Sequence, residues 1–149
     1  MDTPAFRIVV DTREQEPWTF DSPTVRRKLD SGDYSVEGLE SSLSVERKSL
    51  NDAVSTILHS RPRFERELER LRSCRWACVV VEADMDRMAR GMDMHVRVSP
   101  ESFIAACAEI SVRTGIPIYW CGSRQAARTF AQAFLRAAYL QHYREGENE

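Results

Sequence analysis

Apolar and polar positions along the chain change period several times, and each change marks an element. "FRIVV" (6–10) is an apolar, β-branched run ending at Asp11, which predicts a strand. "DSPTVRRKL" places Ser22 before Pro23, the signature of a helix start, so a short helix is expected there. Gly32 then breaks the chain, and "DYSVEG" and "SLSVERK" predict two strands joined by a turn around Gly38 to Ser42. From Ser49, an N-cap, the period becomes helical: Leu50, Ala53, Val54, Ile57 and Leu58 share one face. Pro62 opens a second helix with Phe64, Leu68 and Leu71 inward. "WACVVVEA" (76–83) is apolar throughout, as in a strand buried on both faces. The stretch 84–98 has no clear period and is expected to be a mobile loop. Ser99 and Pro100 start a helix carrying Phe103, Ile104, Cys107 and Ile110 that stops at Gly115. "IPIYWC" (116–121) is a further strand, and Ser123 caps a long last helix with Phe130, Phe134 and Ala137 on one face. Residues 145–149 are expected to be a frayed acidic tail of a single domain spanning 1–149.

A hairpin in the first half followed by β/α alternation in the second predicts an α/β domain. Its mixed β-sheet has about five strands, parallel in the second half and flanked by helices. The length, 149 residues, suits one such domain.

Composition narrows the classes. Hydrophobic residues make up 42% and charged residues 30%, ordinary for a folded soluble domain. No apolar run approaches the roughly 20 residues of a membrane span. The N-terminus carries an early acid and no apolar signal core, so an intracellular protein with no membrane partner is expected. Cys74, Cys78, Cys107 and Cys121 read as reduced, mostly buried thiols, with no second Cys/His pair to complete a zinc site. A net charge of −2 argues against a general nucleic-acid coat protein but not against a nuclease, whose metal site is itself acidic.

The densest chemistry lies in "GDYSVEGLESSLSVERKSLND" (32–52). Strand alternation puts Glu46 and Lys48 on one face and Val45 and Arg47 on the other. If 33–36 pairs with 43–48, Asp33 comes beside Glu46. Two carboxylates then meet one ammonium, an arrangement suited to Mg²⁺ or Mn²⁺ with most of the coordination sphere open to water and phosphate. Lys48, beside carboxylates, is held protonated and suits charge stabilisation better than proton abstraction. A solvated hairpin whose Glu and Lys merely pair is the bland alternative.

"VDTREQEPW" (10–18), "GDY" (32–34), "VERKSLNDAV" (45–54), "SRPRFERELERL" (60–71) and "VVVEAD" (79–84) together resemble the XPF/Hef-type nuclease domain family. That family has a GD…ERKxxxD signature within the PD-(D/E)XK superfamily, and every position of it is filled here. The resemblance implies a restriction-endonuclease-like fold and a metal-dependent endonuclease acting on branched, flapped or forked DNA. It implies Asp33 and Glu46 as metal ligands, Lys48 as catalytic, and Asp11 as a further catalytic carboxylate and ligand. It also implies pairing of nuclease domains, as homodimer or heterodimer. Tandem helix-hairpin-helix modules and a helicase are common in the family, and the resemblance implies a separate helicase or DNA-binding subunit as a partner. The reading from another class is a non-catalytic DNA-binding or dimerisation module.

The remaining candidates each carry two readings. Asp11 is a metal ligand or a turn former. Arg13 holds a phosphate or pairs with Glu14 or Asp11; Glu14 supports the site. Arg47, turned away from Glu46, is a support residue that needs acceptors of its own. Asp52, three residues after Ser49, supports the site or simply caps the helix. Arg61 and Arg63, with Arg66 and Arg70 beyond them, form a phosphate-tracking DNA-binding edge or a solvated face balanced by Glu65, Glu67 and Glu69. Trp18 and Tyr34 fill core or stack on bases, with core favoured for Tyr34. The last helix carries apolar groups on more than one side, as a dimer surface would, or is clamped between core and loop.

Overall fold

In the computed structural model, which describes residues 5–86 and 99–148, six strands form one mixed sheet. They are β1 (Ile8–Val10), β2 (Thr24–Arg26), β3 (Tyr34–Val36), β4 (Leu43–Lys48), β5 (Trp76–Val81) and β6 (Ile118–Trp120). Their order across the sheet is β2-β1-β3-β4-β5-β6. The β1/β3 and β3/β4 pairs are antiparallel, and β1/β2, β4/β5 and β5/β6 are parallel. The described helices are α1 (Leu50–His59), α2 (Arg61–Leu71), α3 (Pro100–Thr114) and α4 (Arg124–Glu147). None of them is long and apolar enough to cross a membrane.

Side-chain alternation sends residues to two cores. On one face Ile8, Val10, Tyr34, Val45, Cys78 and Val80 pack against Ala127, Ala131, Leu135 and Ala138 of α4. On the other, Val79 and Val81 pack against Val54 and Ile57 of α1, Phe64 and Leu68 of α2, and Phe103 and Ile110 of α3. The expected caps form: the hydroxyls of Ser49, Ser99 and Ser123 accept from the backbone N–H of Asp52, Ser102 and Ala126. Gly115 ends α3 in the left-handed region, at φ 73°.

Two expectations need correction. The helix expected from Ser22 is instead the edge strand β2, which pairs in parallel with β1. Only Val25 and Leu29 follow Pro23 as apolar positions, too few for a helical stripe, and Arg26, Arg27 and Lys28 would crowd three cations together. Proline is tolerated just before an edge strand, and its carbonyl accepts from Ile8 N–H at 2.9 Å. The acidic end of the chain is helical through Glu147, because Gln141 bonds Glu145 at 3.1 Å and Arg75 pairs with the same carboxylate. The inward stripe of α4 is Ala127, Ala131, Leu135, Ala138 and Tyr139, leaving Phe130 and Phe134 half-buried and Ala137 exposed. Most of the loop expected over 84–98 lies outside the described residues.

Candidate active site

The hairpin β3–β4 brings the carboxylates together by register. Tyr34 pairs with Val45, and Asp33 N–H donates to Val45 O at 2.9 Å. Tyr34 and Val45 point into the α4 core, so their neighbours Asp33 and Glu46 point to the opposite face, together with Lys48. Asp11, following Val10, joins the same face. Gly32 makes this hairpin entry possible. Its φ is 72°, and a Cβ there would lie 1.8 Å from the Ser44 hydroxyl oxygen.

Asp11, Asp33 and Glu46 line a solvent-open cleft of about 200 Å³, together with Arg13, Glu67 and Arg70. Lys48 Nζ lies 3.4 Å from Glu46 Oε1, and both side chains are largely buried. The Lys48 ammonium also sits 5.7 Å from the centre of the Phe64 ring. Asp33 Oδ2 accepts the Arg47 backbone N–H at 2.8 Å. Burial pushes the Asp33 carboxyl up to about 6, with Glu14 and Asp11 adding repulsion against the Arg47 bond and Lys48. Burial and then Asp33 push Glu46 well above the usual carboxylate range, against the pull of Lys48. Burial alone would lower Lys48, but Glu46, Glu67 and Asp33 outweigh it and hold the ammonium above its ordinary value. Metal-free, the site is therefore a pair of acids reluctant to ionise beside a firmly protonated lysine.

Asp11 stands apart from this pair. It is 1% exposed, and both its oxygens accept hydrogen bonds. Oδ2 takes Arg13 N–H and Nε at 3.2 and 2.7 Å; Oδ1 takes Leu29 N–H at 2.8 Å. Burial opposes its ionisation, but these bonds outweigh burial and leave its carboxyl below the ordinary value. Arg13, anchored to Asp11 and to Leu29 O, keeps a mostly exposed side chain at the cleft.

On the opposite face of β4, Arg47 Nε donates to Glu82 Oε1 at 2.6 Å and Nη1 lies 3.4 Å from Glu14 Oε2. Glu82 also accepts Trp18 Nε1 at 2.7 Å and Arg124 Nη1 at 3.2 Å, while Tyr34 OH donates to Glu14 at 2.7 Å. Trp18 and Tyr34 stack at 4.8 Å and are both buried, so both are core residues. Asp52 is exposed at the start of α1, where its N–H meets Ser49, and does not line the cleft. Arg61 bonds Glu65 at 3.0 Å and Glu109 at 2.8 Å, tying α2 to α3, whereas Arg63 is exposed and lies 3.7 Å from Glu67.

Arg70, one of the arginines expected on a phosphate-tracking edge, lines the cleft, while Glu67 at the cleft and Glu82 behind it were given no role in the site by the sequence. Glu67 follows Phe64 by three residues and precedes Leu71 by four, which puts it at the edge of the buried stripe of α2. That spacing was the available signal.

With this geometry in view, the relatives can be compared. Residues 10–134 match the ERCC4 domain. The chain belongs to the ERCC4 domain family. This is a family of structure-specific DNA nucleases of the XPF/Hef type. Among solved structures, "XPF from Aeropyrum pernix" superposes with a TM-score of 0.71 at 20% identity, covering 89% of this chain and 61% of the other. "XPF from Aeropyrum pernix, complex with DNA" gives a TM-score of 0.68 at 20% identity, covering 89% and 64%. This ERCC4 domain thus spans about three fifths of the length of those XPF chains, and the likeness shows the fold. No curated protein sequence matches.

The donor set can be tested against the divalent metal that this fold family implies. Among the described residues no three His, Cys, Asp or Glu converge as a closed metal-binding group. Asp33 and Glu46 offer hard carboxylate oxygens at an open cleft, and Mg²⁺ keeps several waters and needs few protein ligands. Glu67 Oε2 is buried and has no hydrogen-bond partner among the described residues, an acceptor without a donor on the cleft wall. These groups fit a hydrated dication and not a caged one.

Proposed function

We propose that this ERCC4 domain is a Mg²⁺- or Mn²⁺-dependent endodeoxyribonuclease that hydrolyses phosphodiester bonds in branched, flapped or forked DNA inside the cell. The observation that carries the reading is the convergence of Asp33 and Glu46 at one cleft, with Lys48 on the same sheet face 3.4 Å from Glu46. A bound dication would lower the pKa of its water and polarise the phosphodiester. Asp33 and Glu46 would hold it in their ionised form. Lys48, firmly protonated, does not serve as a base; it places positive charge where the pentavalent phosphorus becomes most negative. Asp11 acts through Arg13, fixing a guanidinium at the cleft for a neighbouring phosphate. Arg63 and Arg70 extend that cationic edge along α2.

The test incubates the purified chain with labelled flap, fork and junction DNA and Mn²⁺. Wild type cuts and Glu46→Gln does not. Equal cutting by the two proteins, or none by either, contradicts the reading.

A second reading is favoured by the β6–α4 face. Exposed Tyr119 packs on Phe130 at 4.7 Å, beside an apolar groove lined by Ala126, Thr129 and Ala133. Such a face suits pairing with a second copy or a related chain, with DNA-binding or helicase functions on a separate subunit. As a dimerisation module without activity, the chain would bind a partner and cut nothing. Sizing wild type beside Phe130→Glu tests the pairing, which the variant abolishes.

A further inference from the structure

We infer that Arg26 of β2 is a positioning residue that fastens the 11–14 turn and thereby aims Arg13 at a DNA phosphate in the cleft. The inference rests on the DNA-binding part of the reading above. One nitrogen of the Arg26 guanidinium, Nη2, donates to three backbone carbonyls of that turn: Glu14 O at 2.6 Å, Thr12 O at 3.2 Å and Asp11 O at 3.3 Å. This nitrogen carries two hydrogens, so the three carbonyls share them, which fits one short and two longer distances. Strand pairing supplies the reach. Val10 lies opposite Arg26 in the parallel β1/β2 register, and Arg27 N–H donates to Val10 O at 3.1 Å, so the arginine stands beside the point where the turn leaves β1.

The turn has little else to hold it. Between the buried apolar residues Val10 and Trp18 only Asp11 is buried, and Thr12 and Arg13 are exposed. The Arg13 side chain is tied at its far end, by Asp11 Oδ2 on Nε and Leu29 O on Nη2. Those bonds fix its direction only while the backbone beneath it keeps its shape. Glu14 N–H closes the turn on Asp11 O at 3.1 Å, and Arg26 secures the carbonyls on either side of Arg13. Arg26 pairs with no acid among the described residues, whereas its neighbour Arg27 meets Glu37 and Glu40 at 3.5 and 3.3 Å. A planar guanidinium spent on three carbonyl dipoles of one exposed turn holds that turn in a single shape. The residue at its apex is Arg13, the cation at the cleft.

The experiment measures binding of labelled flap DNA to the full chain by fluorescence anisotropy, without metal and from about 50 to 200 mM salt. Arg13→Ala and Arg26→Ala each weaken binding about tenfold, and each lowers the slope of log K against log salt by about one. The double variant loses no more than either single variant, because Arg26 acts through Arg13. Arg27→Ala, which removes the same charge one residue away, binds as wild type does. Should Arg26→Ala not fold, the same cycle is run with Arg26→Lys, whose loss is smaller and equally non-additive. Additive losses, with the slope lowered by about two in the double variant, would make Arg26 a phosphate contact in its own right and overturn the inference. Tight binding by Arg26→Ala, or an equal loss in Arg27→Ala, would overturn it too. If Arg13→Ala alone changes nothing, the inference fails while the nuclease reading stands. If wild type binds no DNA, both fail.

Discussion

Strand β4 presents two faces built from alternate residues of "VERK", and they treat charge in opposite ways. On one, Arg47 meets Glu82 and Glu14, and those acids in turn accept from Trp18, Arg124 and Tyr34. Every formal charge there has a partner of opposite sign, and the network ties β4 to the β1–β2 loop, the end of β5 and the start of α4. On the other face Glu46, Asp33 and Glu67 share one ammonium, and the Asp33 and Glu46 carboxyls are pushed up by burial first, then by Glu14 at Asp33 and by Asp33 at Glu46. Low dielectric raises the stakes on both faces. It rewards the first, where pairing is complete, and penalises the second, where three acids share one ammonium. The ERCC4 domain thus keeps its structural charges and its chemical charges one residue apart.

Substitutions on the two faces should separate activity from stability. The largest expected effect is on the cleft face. Glu46→Gln lowers cleavage by at least about ten-thousandfold, on the order of 5 kcal/mol of transition-state stabilisation, while the metal-free protein melts no lower than wild type. A variant that loses both activity and fold would erase the distinction.

Arg47→Ala should do the reverse. Leaving Glu14 and Glu82 without their cation costs about 3–5 kcal/mol of folding stability, read from urea denaturation. Residual activity in the folded fraction should exceed that of Glu46→Gln. A mild effect on stability would show that the network is not what fastens β4.

A smaller effect comes from pH. Unfolded, Asp33 ionises near its ordinary 3.8, whereas folded it keeps its proton to about 6. The folded state therefore binds more protons in that window, and metal-free stability falls as pH rises from about 4 through 6. The loss is on the order of 1–2 kcal/mol after solvent screening. Asp33→Asn, which keeps an oxygen for Arg47 N–H, should make that slope shallower, leaving the share that comes from the raised Glu46 carboxyl. An unchanged slope in thermal melts from pH 4 to 8 would place the raised acid elsewhere. Smallest is Ser49→Ala, which removes the α1 cap and costs about 1 kcal/mol in denaturant melts with cleavage nearly unchanged.

Much of this was legible because the relevant rules are local. Alternation alone separates Glu46 and Lys48 from Arg47, and Gly32 with the turn at Gly38 sets a hairpin that lays Asp33 beside Glu46. The caps at Ser49, Ser99 and Ser123 are contacts between near neighbours in the chain. What escaped depends on distant partners. β2 exists because Thr24–Arg26 finds β1, and Ser22-Pro23 signals a helix start only when an apolar stripe follows. Glu67 reads as surface charge until α2 is docked beside the cleft. The Arg13–Asp11 pair was among the expected readings, but the Leu29 N–H on the other Asp11 oxygen is supplied only by the fold. The expected acceptors of Arg47 include Glu82, whose place at the end of β5 was legible but whose link to Trp18 was not.

The central claim is that the Asp33–Glu46 face is an unfinished charge arrangement completed by a dication. Thermal melts of wild type and Glu46→Gln at pH 8, with and without Mn²⁺, test it directly. At Mn²⁺ about a hundredfold above its dissociation constant, binding to the folded state alone adds about 2.7 kcal/mol, which raises the wild-type melting temperature by roughly 5–10 °C. Glu46→Gln should show little or none of that rise. An equal rise in both proteins, or no rise in wild type, would contradict the account.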